Sequence, residues 1–494
     1  MLTAVTLVAG RGPSIAEIET IARHGARVVI DAPVLARLAR AREALDAAVR
    51  RGVRVYGYNT GLGAKSGLPL DGDAFAFQPS FLRGRDMAVG EPLRRDLVRA
   101  AVAARIGGLA AGGSGLSPRV FTALVAALNA GVHPVIRRHG SVGASDLCLL
   151  APLGRMLIGE GEAEWDGRIM PTADALAVAG LAPVVLDPKD GLSLIGANAV
   201  STGHAALVVA DAGRLLDRQI GAVALAMEGL GANPSILDPR LQAVRPAPGQ
   251  AEVAERLSDL VAGSGLGRPG VDLPLQDPLS LRCAPSILGA ASAALDHARR
   301  MVELELGAGA DNPLVLPDTG EVLSTGNFHA PALALAFEGL GLALAQSAIA
   351  SMGRFILLTG GTRGGLPRAL SRQGGAAAGF VPLQKTAAAL VAAIRHAAQP
   401  VVLDVVALSE GVEDHATQAP LAVEKCARIV ELYARLVALE MMAGAEAADL
   451  RGADLGAGTA ALKAEVRTMV PPLGEDRALG AEAEALAARL IDPP

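Results

Sequence analysis

The sequence predicts a mainly helical protein in two parts, a mixed N-terminal domain over residues 1–190 and a bundle of long helices over residues 191–494. Three observations carry this expectation. The 494 residues are 51% apolar but only 2% aromatic, so Ala, Leu and Val must build the core. Small aliphatic side chains favour close helix–helix packing, whereas a β-sandwich draws on β-branched and aromatic residues. Past about residue 190, long stretches repeat apolar residues at helical spacing.

The elements follow in order. Thr3–Val8 and Arg27–Ile30 are short β-branched runs. Between them Ser14-Ile-Ala-Glu17 is a capping box that opens a short helix. Asp31 caps a helix to about Arg51, closed by Gly52, and Ser117-Pro118 opens another, closed by Gly131. The long helices are expected over Ala199–Leu230, Leu281–Leu306, Pro331–Leu358, Thr386–Ala398 and Pro420–Ala448. Several exceed the mean helix of about 11 residues, and Ala-rich helices of this length read as a bundle. Their polar faces are narrow, so other subunits are expected to cover part of the apolar surface. Gly/Pro-rich loops, such as Ala262–Pro274 and Thr359–Pro367, separate them.

Composition also excludes. The net charge is −5, with basic and acidic residues interspersed, which argues against a nucleic-acid footprint. Three cysteines, Cys148, Cys283 and Cys426, cannot form a disulfide framework and suit a reducing, cytoplasmic compartment. The N-terminus lacks the pattern of a signal peptide, and apolar runs are interrupted before membrane-spanning length. The eight histidines form no His-x-x-x-His pair, no Cys-x-x-Cys is present, and no metal site is expected. Gly61–Ser66 looks like a phosphate loop but lacks the glycine directly before lysine.

Four segments carry denser chemistry. Tyr56-Gly-Tyr-Asn-Thr-Gly-Leu-Gly63 sets a phenol among glycines. Gly140-Ser-Val-Gly-Ala-Ser-Asp-Leu147 is a small-residue loop before an apolar stretch. Gln276-Asp-Pro-Leu-Ser-Leu-Arg-Cys283 places an arginine near a helix beginning, and Glu413-Asp414-His415 is an ionisable triplet in apolar sequence. Taken singly, each reads more economically as structure: a tyrosine can pack, and Glu-Asp-His can cap a helix.

Together, in this order, the segments resemble the histidine and aromatic amino acid ammonia-lyase family. Val89-Gly-Glu-Pro-Leu93, Gly159-Glu-Gly-Glu-Ala163, Asp311-Asn-Pro-Leu314 and Gly326-Asn-Phe-His329 match its motifs too, and the resemblance spans about residue 3 to the 440s. It implies a mainly α, fumarase/aspartase-like fold. It also implies a homotetramer whose active sites combine several subunits, and a small amino-acid substrate. By position it implies substrate-binding roles for Arg282, Arg85, Asn198, Gln276, Asn312 and Phe328.

The chain departs from this family where the family's chemistry is centred. The family's electrophile is a methylidene-imidazolone ring (MIO), built from Ala-Ser-Gly by attack of the glycine nitrogen on the alanine carbonyl and dehydration of the serine. Here the tripeptide is Ala144-Ser145-Asp146, as though the glycine were deleted. Glycine reaches the compressed backbone the cyclisation needs, whereas Asp146 adds a branch and a charge. No cofactor is therefore expected, and the ring would return only if Asp146 allowed closure. The family's histidine before Val89 is Arg85, its Gln-Asp-Pro-Tyr ends in Leu279, Gly196 replaces an Asn, and Lys385 replaces a residue that is usually uncharged.

Within the family these departures are closest in character to ergothionase-like members. The ring's task is to bond a poorly leaving amine. A quaternary ammonium has no lone pair for that bond, yet leaves readily as neutral trimethylamine. A trimethylated α-amino acid with an imidazole or thioimidazole ring fits such a chain, with thiourocanate as the acid product from the thioimidazole. Tyr56 is the candidate base, assisted by cations such as Arg85 or Arg282. Lys385 and Glu413 are candidates to protonate the far end of the ring, and Arg282 can grip the carboxylate with a bidentate fork. Two alternatives stand beside this: a conventional MIO-dependent lyase and a non-catalytic helical assembly protein.

Overall fold

The computed structural model describes residues 4–70, 72–268, 273–361, 363–403 and 407–491. Thr3, parts of the loops 262–274 and 359–367, and the last three residues lie outside them. The chain is 59% helical. It divides into two compact units, each discontinuous in sequence: Met1–Ala210 with Arg299–Ala336 and Pro400–Glu424, and Asp211–Ala298 with Phe337–Gln399 and Lys425–Pro494.

The first unit begins with β1 (Ala4–Leu7), α1 (Ile15–Arg23), β2 (Arg27–Ile30) and α2 (Ala32–Arg50). The capping box forms as the sequence predicts: the Glu17 N–H donates to Ser14 Oγ and the Ser14 N–H to Glu17 Oε2, at 3.2 and 2.7 Å. β1 and β2 pair in parallel. There follow α3 (Ala74–Arg83), β3 (Val89–Pro92), α4 (Arg95–Ala111), α5 (Pro118–Asn129), β4 (His133–Pro134), β5 (Arg137–His139) and α6 (Leu147–Leu157). Then come β6 (Glu162–Trp165), β7 (Arg168–Pro171), α7 (Thr172–Val178) and α8 (Asp190–Ile195). β6 and β7 form a hairpin about Asp166-Gly167, both at positive φ (48° and 79°), a turn the hydrophobic pattern alone did not mark.

α4 is the core helix of this unit, buried from Val98 to Ala110. Its Ala/Gly sequence allows backbones to approach closely. A Cβ on Gly203 would lie 2.5 Å from the Ala100 carbonyl carbon, so only glycine fits there. Two arginines stay inside α4 because their donors are met: Arg105 bonds Leu194 O and Asp311, and Arg99 bonds Ile21 O.

Four long helices contribute residues to both units: α9 (Ala199–Leu230), α13 (Ala284–Leu306), α14 (Pro331–Thr359) and α16 (Ala419–Arg451). Short α10 (Pro239–Val244), α11 (Gln250–Leu260) and α12 (Leu279–Arg282) lie between α9 and α13 in sequence, so the expected helix 281–306 is broken at Cys283. The hairpin strands β8 (Leu314–Leu316) and β9 (Glu321–Leu323) precede α14. α15 (Val381–Ala397), α17 (Ala457–Arg467) and α18 (Gly480–Ile491) complete the set. In the second unit, Arg354 and Glu440 form a buried pair at 2.5 Å, with Gln219 and Ser351 also donating to the carboxylate. These donors satisfy charges that would otherwise be costly to bury.

Two helical stretches, Asp190–Leu230 and Pro331–Thr359, are long and apolar enough to cross a membrane, but 94% and 61% of their most apolar windows is buried inside the chain. They are core helices by that measure. The less covered one, α14, shows a regular exposed stripe: Leu335, Leu342, Ile349 and Ile356 are 59%, 51%, 52% and 39% exposed. Their spacing is seven residues throughout, the repeat of a helix seam.

Candidate active site

The candidate site in the first unit is built around the loop before α6. Ser145 holds a left-handed backbone, φ 65°. Asp146 is the residue preceding α6 and is fully buried. Its N–H donates to Ala197 O at 2.9 Å. Its carboxylate accepts from Ser141 Oγ at 2.8 Å, from the Ser201 N–H at 2.9 Å and from Ser201 Oγ at 3.1 Å. Burial pushes the Asp146 carboxyl above its usual range, and these donors oppose that rise. Ser201 lies in the first turn of α9, so the aspartate ties the loop to a core helix.

Two further segments close on this loop. Ala144 makes a backbone bridge to His329. Thr417 Oγ1 donates to Gly143 O at 3.0 Å, and the Gln418 N–H to Val142 O at 2.9 Å. A Cβ on Gly143 (φ 87°) would fall 2.0 Å from Thr417 Oγ1, so glycine is required there. The two segments also meet each other through His329 Nε2 and His415 Nδ1, 2.8 Å apart. Burial, and then the facing His415, lower the His329 pKa.

Asn198 donates through Nδ2 to Phe328 O, while its buried Oδ1 has no partner among the described residues. Asn312 Oδ1 accepts from the Thr325 N–H at 3.0 Å. Burial pushes the Cys148 thiol up; Arg85 opposes this, and Glu413 and Asp86 add to it. These four side chains therefore share one electrostatic neighbourhood. The Arg85 guanidinium stands 5.4 Å over the Phe81 ring. Tyr56 is half-buried, and its phenol oxygen accepts the Gly63 N–H at 2.9 Å.

The remaining predicted residues belong to the second unit. Arg282 is half-buried and ends α12, two residues before α13 begins. Gln276 is exposed, while its neighbour Asp277 is buried against Arg363 Nη2 at 2.7 Å and the Asn233 N–H at 2.8 Å. Lys385 is exposed in the single chain. The deeply buried lysine is Lys189, which donates to Ser114 O at 2.5 Å and Ser193 Oγ at 3.2 Å.

The first unit thus gathers Ala144, Ser145, Asp146, Asn198 and Phe328, and both Arg85 and Glu413 act on the Cys148 thiol. Sequence reasoning gave no role to Ser141, Ser201, Cys148 or the His329–His415 pair. Ser141 lies within a recognised motif and both histidines end one; nothing in the local sequence marks Ser201. Among the described residues no cluster of three or more His, Cys, Asp or Glu could hold a metal ion.

Residues 14–468 match the family model of the aromatic amino acid lyases, and the chain belongs to that family. It is a carbon–nitrogen lyase. A histidine ammonia-lyase from Symbiobacterium thermophilum is 39% identical over 475 residues, covering 95% of this chain and 94% of the relative. One from Treponema denticola is 36% identical, covering 96% and 94%. Among solved structures, the ergothioneine-degrading enzyme ergothionase from Treponema denticola, in complex with desmethyl-ergothioneine sulfonic acid, superposes with a TM-score of 0.93 at 30% identity, covering 98% of both chains. A phenylalanine aminomutase from Pantoea agglomerans gives 0.95 at 27% identity, covering 99% of both.

Proposed function

We propose that this lyase eliminates trimethylamine from an α-trimethylammonium acid bearing an imidazole or thioimidazole ring, and does so without an MIO ring. The observation that carries this reading is Asp146. The cyclisation needs a free backbone nitrogen next to Ser145, on a residue able to fold tightly. Asp146 offers instead an N–H already given to Ala197 O and a side chain held by Ser141 and Ser201. Closing the ring would consume that N–H and pull a buried carboxylate from three donor groups, at a cost of roughly 1–3 kcal/mol for each group left unpaired. The tripeptide does not fit the ring.

The reaction then needs a leaving group that departs unaided. Tyr56 acts as the base and takes the proton from Cβ. That electron pair becomes the Cα=Cβ bond, and the Cα–N bond breaks with its pair leaving on neutral trimethylamine. The Gly63 N–H at the phenol oxygen stabilises charge there. Negative charge developing at Cβ spreads into the aromatic ring, whose far end is hydrogen-bonded or transiently protonated by Lys385 with Glu413, any such proton returning to Lys385 as the Cα–N bond breaks. Arg282 holds the carboxylate, because a guanidinium fork matches it in plane and spacing. Gln276, Asn312, Asn198, Phe328 and Arg85 complete the binding surface.

Lys385 exposed in one chain, and the α14 stripe at seven-residue spacing, are both accounted for by a homotetramer whose sites draw residues from more than one subunit. The substrate class is supported by the similarity to ergothionase. A second reading, a ring-dependent histidine ammonia-lyase, is favoured by the names of the relatives at 36–39% identity. A panel of histidine, hercynine, ergothioneine, tyrosine and phenylalanine, with amine and conjugated acid followed together, separates the two. Trimethylamine from a betaine, with no ammonia from histidine, is the expected result. Ammonia from histidine alone would replace it with the second reading.

A further inference from the structure

A cavity of about 480 Å3 lies in the first unit and shares no lining residue with the tripeptide loop. Its wall includes Gly10, Gly112 and Gly113, at φ of 78°, 93° and 90°. A Cβ on Gly112 would stand 2.5 Å from Arg37 Nε, and one on Gly113 2.5 Å from Leu314 Cδ1. Glycine here lets the Arg37 side chain lie flat against the backbone.

Arg37, on α2, is half-buried and makes no hydrogen bond or ion pair with any described residue. The other cation at the cavity, Arg40, has only Asp318 near it, at 3.9 Å with both side chains largely exposed. Such a pair is worth little. A guanidinium partly removed from water and left without an acid is costly, and its planar fork matches phosphate and carboxylate oxygens. Beyond the arginines, β8 turns Leu314 and Leu316 into the lining, giving the cavity an apolar side. The volume lies within the range of small-molecule sites.

We propose that this cavity binds a small organic oxyanion, with its phosphate or carboxylate group on Arg37 and Arg40 and its carbon skeleton against β8. The inference is independent of the elimination chemistry.

Isothermal titration of the whole protein with inorganic phosphate, ribose 5-phosphate and citrate tests it. Saturable binding of an organic probe, tighter than that of inorganic phosphate, is expected. Tighter ribose 5-phosphate assigns a phosphate-bearing ligand, and tighter citrate a carboxylate-bearing one. Arg37→Gln should weaken binding at least tenfold. Arg37→Lys, which keeps the charge but not the fork, should fall between, and Arg119→Gln should bind as the parent does. Should Arg37→Gln not fold, Arg37→Lys and Arg40→Gln carry the same comparison. No saturable binding by any probe, or affinities unchanged by all Arg37 and Arg40 variants, would overturn the proposal.

Discussion

Asp146 and Ser201 are joined twice, once through the Ser201 backbone N–H at 2.9 Å and once through its hydroxyl. The pair ties the loop to the first turn of α9. Ser201→Ala removes one donor from a buried carboxylate. It should destabilise the protein by about 1–3 kcal/mol, read as a lower midpoint in denaturant, and an unchanged midpoint would show that the contact carries no weight.

The proposed mechanism gives proton transfer to Tyr56 and Lys385. Loss of such a group typically costs roughly 10²–10⁴-fold in rate. Tyr56→Phe and Lys385→Met should each lower turnover of the betaine by at least that order while light scattering finds the same assembly. Unchanged elimination by Lys385→Met would remove the ring acid from the mechanism.

Arg282→Lys keeps a charge but loses the fork. It should raise KM for the substrate while changing kcat much less. A fall in kcat alone would place Arg282 in the chemical step.

His133 is buried beside Arg99, and burial followed by that charge lowers its pKa from 6.5 to about 4. Between these values the unfolded chain binds the proton and the folded chain does not. Stability is therefore intact above pH 6.5 and lost as pH falls toward 4, by on the order of 3 kcal/mol for this one group. His133→Gln should flatten the pH dependence of the unfolding midpoint in that window, and an unaltered slope would assign the loss elsewhere.

Leu342 lies in the α14 stripe, 51% exposed in the single chain. Leu342→Glu would bury a charge in the proposed subunit seam and should convert a tetramer to smaller species in light scattering. A parent protein that is itself a monomer at micromolar concentration would refute the tetramer.

Much of the fold was legible because helical signals are local. The Ser14–Glu17 box and the span Ala199–Leu230 need only neighbours in sequence, and both occur where expected. The β6–β7 hairpin went unread because its strands, Glu162-Ala-Glu-Trp165 and Arg168-Ile-Met-Pro171, are poor in β-branched residues. Its Asp166-Gly167 turn was the available signal. In the site, the missing glycine was plain in the sequence, but the hold of Ser201 on Asp146, across 55 residues, was not. Lys189 shows the same limit. Nothing local distinguishes it from Lys385, yet only packing around Ser114 and Ser193 makes it the buried lysine.

Elimination on an uncyclised tripeptide, as proposed, can be read from the intact mass of the purified protein. The expected value is the full mass of the unmodified chain, with the peptide carrying Ala144-Ser145-Asp146 ordinary in fragmentation. A mass lower by two waters, with the loss located at that tripeptide, would contradict it and restore the ring-dependent ammonia-lyase.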